Sequence, residues 1–79
     1  MLETIALAKK VTAAEEGLVI ETEEGAYRVD WASCSRRLAT ANSLERNTFE
    51  LAPSGYGIHW PLIDEDLTVG PLLARASKL

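Results

Sequence analysis

Polar and apolar residues alternate over two neighbouring stretches in the first half of the chain. Leu18 and Ile20 fall on one side of the first, with Val19 and Glu21 on the other. Tyr27, Val29 and Trp31 alternate in the same way with Arg28 and Asp30. A period of two is the signature of a half-buried strand. Between the stretches stands Glu23-Glu24-Gly25, which repeats the Glu15-Glu16-Gly17 found just before Leu18. Two acidic, glycine-terminated turns at this spacing predict an up-and-down meander. Helix and strand both fit the alanine-rich Met1–Ala14, with Ile5, Leu7, Val11 and Ala13 in imperfect alternation; the turn that follows favours a strand. Register can be read as well. Pairing Thr22 with Tyr27, Ile20 with Val29 and Leu18 with Trp31 sets Glu21 against Arg28, an opposite-charge pair worth ~0.2–1 kcal/mol. A one-residue slip would put Ile20 opposite Arg28 and turn one strand inside out. The predicted sheet face therefore carries Leu18, Ile20, Tyr27, Val29 and Trp31.

The period then changes. Ser33 or Ser35 can cap a short helix through Leu38, Ala39 and Ala41 that Asn42 ends, and Ser43 starts a second turn or helix over Leu44–Asn47. This helical section is the expected cover for the sheet face. Alternation returns at Thr48–Leu51, with Phe49 and Leu51 on one side. Pro53 and Gly55 punctuate a turn. Tyr56, Ile58 and Trp60 share one face of the next strand, Gly57 and His59 the other, and Pro61 ends it for want of an N–H. Thr68 is placed to cap a last helix from Val69 to about Ala76, with Pro71 tolerated in the first turn. The expected fold is α+β, one small domain over residues 1–79. It has a small antiparallel sheet from two hairpins, a central helical section and a C-terminal helix.

With 79 residues, such a domain buries only about 60% of its unfolded surface. Small folds add disulfides, a metal or a partner. One cysteine, Cys34, excludes an internal disulfide, and with a single histidine it cannot build a structural zinc site. A partner is the staple left, so a symmetric homodimer through the C-terminal helix or an edge strand is expected. The net charge of −4 changes the picture further. Duplex binding needs several phosphates neutralised, and the densest basic cluster, Arg36-Arg37 with Arg46, is too sparse; no direct nucleic-acid contact is expected. No apolar run reaches the ~20 residues of a membrane span, and a lone thiol suits a reducing compartment. The expected setting is the cytoplasm, away from the membrane.

Unusual residues concentrate at Gly57–Leu67, which holds the only histidine, Trp60, Pro61 and the acid run Asp64-Glu65-Asp66. The run fails as an EF-hand loop, since counting from Asp64 the glycine position is Val69 and the terminal glutamate position is Arg75. It reads as a turn before a helix, where carboxylates are favoured. His59 with Asp64 or Asp66 as orienter and Ser54 as nucleophile would be a hydrolytic constellation, but there is no nucleophile elbow, second histidine or oxyanion-hole glycine pattern. Trp31 and Trp60 are core residues, pocket walls or interface anchors. Cys34 at a helix start is an inert small side chain unless the helix terminus lowers its pKa. The candidate binding or interaction residues are Trp31, His59, Trp60, Asp64 and Asp66, with no catalytic residue, metal ligand or cofactor assigned.

Gly55-Tyr56-Gly57-Ile58-His59-Trp60-Pro61-Leu62-Ile63-Asp64-Glu65-Asp66-Leu67, followed by Leu72-Leu73, resembles a small bacterial family, domain of unknown function 2442. Arg46-Asn47-Thr48-Phe49 and the hairpin leading to Asp30 extend the resemblance over most of residues 9–74. The resemblance implies no established enzymatic activity. It also implies stand-alone proteins or fusions to a helix-turn-helix, some of them beside toxin-like genes. These 79 residues leave no room for the helix-turn-helix, so operator binding does not carry over. The expected function is a non-enzymatic protein-interaction or regulatory module, antitoxin-like, with a small toxin-like protein as partner. The alternative is a small-ligand or sensor domain using Trp31, Trp60 and His59.

Overall fold

The computed structural model describes residues 7–79. The expectation for Ile5 and the other leading residues lies outside them. Strands β1 (Lys10–Ala13), β2 (Gly17–Thr22) and β3 (Gly25–Asp30) form the meander. Three short helices follow, α1 (Trp31–Cys34), α2 (Arg36–Ala39) and α3 (Ser43–Asn47). Next come β4 (Glu50–Leu51), β5 (Gly57–Trp60) and β6 (Glu65–Thr68), then α4 (Val69–Ala74) and β7 (Ser77–Lys78). The class is α+β, as the pattern indicates. The hairpins divide between two antiparallel sheets, ordered β1-β2-β3-β7 and β4-β5-β6.

The predicted face is present, but the predicted pairing is displaced by two residues. Ile20 faces Tyr27, Leu18 faces Val29 and Val19 faces Arg28. The cause is a tighter turn. Thr22 pairs directly with Gly25, whose φ of +135° is open only to glycine at low cost. The Thr22 hydroxyl accepts the Glu24 N–H at 3.1 Å and donates to the Gly25 carbonyl at 3.1 Å. An even shift keeps each side chain on its face, so Leu18, Ile20 and Val29 are fully buried. Arg28 pairs with Glu16 at 3.1 Å instead of Glu21. Trp31 leaves the strand and opens α1.

Helices of four to six residues are far below the ~12–15 that hold alone in water. Caps and packing hold them here. The Ser35 hydroxyl accepts the Leu38 N–H. Asn42 caps α3 rather than ending the helix before it, since α2 already stops at Ala39 with Thr40 as its cap. The Asn42 side chain accepts the Glu45 N–H at 2.8 Å and the Glu45 carboxylate accepts the Asn42 N–H at 2.9 Å, a capping box. Thr68 occupies the cap position of α4 without a side-chain bond. The core joins Leu18, Ile20 and Val29 of one sheet to Ile58 and Trp60 of the other through Trp31, Leu38, Val69 and Leu72. Among the described residues no helix is long and apolar enough to cross a membrane.

Candidate interaction face

The second sheet has one face in the core and one in solvent. Leu51, Ile58 and Leu67 stand opposite one another across β4, β5 and β6, and Ile58 is buried. Side chains alternate along a strand, so the next rung points outward: Glu50, His59 and Asp66 form a row over all three strands. Gly57 and Thr68 make the rung below. Because Gly57 has no side chain, the outer surface is hollow there. Leu51, Ala52, Pro53, Gly57 and Thr68 line a shallow concavity of about 550 Å³ with the Glu50–His59–Asp66 row on one side.

Within the row, His59 Nδ1 lies 2.7 Å from Asp66 Oδ1. Both side chains are reached by solvent, at 39% and 75% exposure. A carboxylate oxygen can only accept, so Nδ1 carries the proton of this bond, and in the neutral ring Nε2 is left as an acceptor. The Glu50 carboxylate is engaged by no side chain among the described residues.

The other expected site residues lie elsewhere. Trp31 and Trp60 are 3% and 0% exposed, and they flank Arg46. Its guanidinium sits over the Trp31 ring at 5.0 Å, while its main-chain carbonyl accepts the Trp60 indole N–H at 3.2 Å. The Trp31 indole N–H donates to the Ala14 carbonyl at 3.0 Å. Both tryptophans are core, and Phe49 packs on Trp60 with ring centroids 6.0 Å apart. Tyr56, expected on the Ile58 and Trp60 face, is 54% exposed because β5 begins only at Gly57.

The acid run is not a helix entry. Asp64 alone is in the turn, at φ +51°, and Glu65 and Asp66 belong to β6. Asp64 therefore does not join His59; its main-chain carbonyl accepts from Arg37 at 2.8 Å, and that of Ile63 does so at 3.1 Å. The Ser54 hydroxyl accepts the Tyr56 N–H at 3.3 Å, and it shares no hydrogen bond with His59. Among the described residues no three His, Cys, Asp or Glu side chains converge to hold a metal. Cys34 is the last residue of α1 rather than a helix start; it is buried, donates weakly to the Val29 carbonyl, and has its thiol pKa pushed up to about 11, chiefly by burial.

Sequence reasoning missed Glu50 and Gly57 because both acquire meaning only through the register of β5 on its neighbours. The signal was present in Pro61–Asp64: read as a hairpin turn, it sets His59 against Asp66.

No curated protein matches the chain. Among solved structures, a protein of unknown function from Rhodospirillum rubrum ATCC 11170 superposes with a TM-score of 0.76 at 23% identity, over 90% of this chain and 88% of that one. At that identity the likeness shows a shared fold. Residues 8–78 match the family described as protein of unknown function DUF2442, and to that family the chain belongs.

Proposed function

We propose that the protein is a non-enzymatic interaction or regulatory module that binds another protein through the outer face of its second sheet. One observation carries this reading: the outer face is concave and open, and its polar row is assembled from three strands. Against a hydrolytic role, His59 has an orienting carboxylate but no nucleophile bonded to it. The small-ligand alternative loses its walls, since both tryptophans are spent on the core. The volume falls in the ~300–1,000 Å³ range of ligand pockets, but nothing encloses it. A small toxin-like protein, the partner that the family resemblance implies, is of the class such a face suits. The reading places the work in the cytoplasm, where Cys34 stays a free thiol.

Co-expression with the products of adjacent genes tests this. The expected result is a complex that survives gel filtration and is lost in Thr68→Arg, whose melting temperature stays at the wild-type value. A complex indifferent to changes on this face, or a metabolite that raises the melting temperature, would overturn the reading. Homodimerisation belongs to the same proposal. The edge strand β6 and exposed Leu62 and Tyr56 favour it, and a monomer mass by light scattering at micromolar concentration refutes it.

A further inference from the structure

The concavity on the second sheet is unusual in what it offers chemically. Its side chains present acceptors: the Glu50 carboxylate, the Asp66 carboxylate oxygen not held by His59, and, in the neutral ring, His59 Nε2. No lysine or arginine lines it. Thr68 supplies the one side-chain hydroxyl, which can donate or accept. Gly57, at the start of β5, leaves room beside this row for a backbone rather than a bulky group, with Pro53 and Ala52 lining the same hollow. A binding partner must therefore bring donors and positive charge, and must be thin enough to lie across strands.

We infer that the groove receives an extended segment of a partner protein, one that sets a lysine or arginine between Glu50 and Asp66 while its backbone passes over Gly57. This rests on the interaction reading above and names the partner's chemistry. A second copy of the chain does not fit the same groove, because two-fold closure would bring Glu50 and Asp66 against themselves, and like charges facing each other oppose association. Nucleic acid is repelled by the same carboxylates. Spaced cationic side chains on an extended strand suit the site, since Glu50 and Asp66 flank His59 one strand away on either side. Neighbouring strands stand ~4.8 Å apart, so a single long side chain reaches either carboxylate.

The probe is an acetylated and amidated Val-Lys-Val-Lys-Val peptide titrated into the ¹⁵N-labelled full chain at low salt. Its Val-Gln-Val-Gln-Val counterpart serves as control. Amide shifts at Leu51, Gly57, Ile58, His59 and Leu67 are expected, with the glutamine peptide at least tenfold weaker. The doubly neutralised Glu50→Gln, Asp66→Asn protein should weaken the lysine peptide by a similar factor. Both replaced side chains are exposed, and the peptide comparison needs no variant, so a folding defect cannot mask the result. Shifts centred on the acidic turns Glu15-Glu16 or Glu23-Glu24, equal binding of the two peptides, or no binding at millimolar concentration would each overturn the inference. If a co-expressed partner is still lost in Thr68→Arg, such a result removes the cationic segment and leaves the interaction face standing. If Thr68→Arg has no effect, both fall.

Discussion

Arg46 holds more of the interior together than any other polar side chain described. Its Nε donates to the Leu38 carbonyl and its Nη2 to the Ala39 carbonyl, both at 3.0 Å. These satisfy the exposed end of α2 while the guanidinium plane covers Trp31. Charged hydrogen bonds contribute about 1.5–3 kcal/mol each and a stacked cation about 0.5–1, with overlap between them. Arg46→Ala should therefore lower unfolding stability in urea by about 2–4 kcal/mol. Arg46→Lys should recover less than half, because an ammonium cannot fork to two carbonyls. Cys34 yields a second prediction at this scale. Burial raises the folded thiol from 9.0 to about 11, so between those values the unfolded chain releases a proton that the folded chain keeps. Stability should be intact below pH 9 and fall as pH rises towards 11. Cys34→Ala should flatten that slope, and iodoacetamide at pH 8 should label the wild-type thiol only as fast as the protein opens.

At the scale of elements, the short helices and turns depend on individual residues whose removal has a calculable cost. Gly55 has φ +79°, and a Cβ there would come within 2.4 Å of the Ala8 carbonyl. That approach is what lets the Ala8 N–H donate to the Gly55 carbonyl at 2.8 Å and tie the chain before β1 to the loop after β4. Gly55→Ala should cost about 2 kcal/mol or more from strain and lost contact, read as a lower midpoint in urea with unchanged slope. Asn42→Ala removes half of the capping box and should cost about 1 kcal/mol.

Legibility in the sequence follows the range of the interaction that decides each feature. Face assignment in β2 and β3 was readable because alternation is local. The two-residue register error arose at Gly25, where pairing depends on a backbone angle rather than on residue type. The acid run was misplaced because Asp64 adopts a left-handed turn and Arg37, distant in sequence, holds it there. His59 and Asp66 meet across β5 and β6, whereas Trp31 and Trp60 lie in the core beside Arg46. No spacing rule reveals that arrangement.

At the scale of the whole molecule, the last strand matters most. β7 covers the open side of β3, pairing Ser77 with Arg28 and Lys78 with Tyr27, and the Leu79 N–H donates to the Ala26 carbonyl. Truncation after Ala76 should leave most of the core in place but uncover a strand edge. The expected outcome is faster aggregation on warming by light scattering, with only a modest drop in melting temperature.

The same pairing sets a schedule for a chain made from its N-terminus. β3 leaves the ribosome first and waits for a partner encoded about fifty residues later. At ~5–20 residues per second that wait is roughly 2.5–10 s, far longer than a hairpin takes to close. The meander is therefore born with a naked flank, an edge open to any other strand until its own last residues arrive to close it.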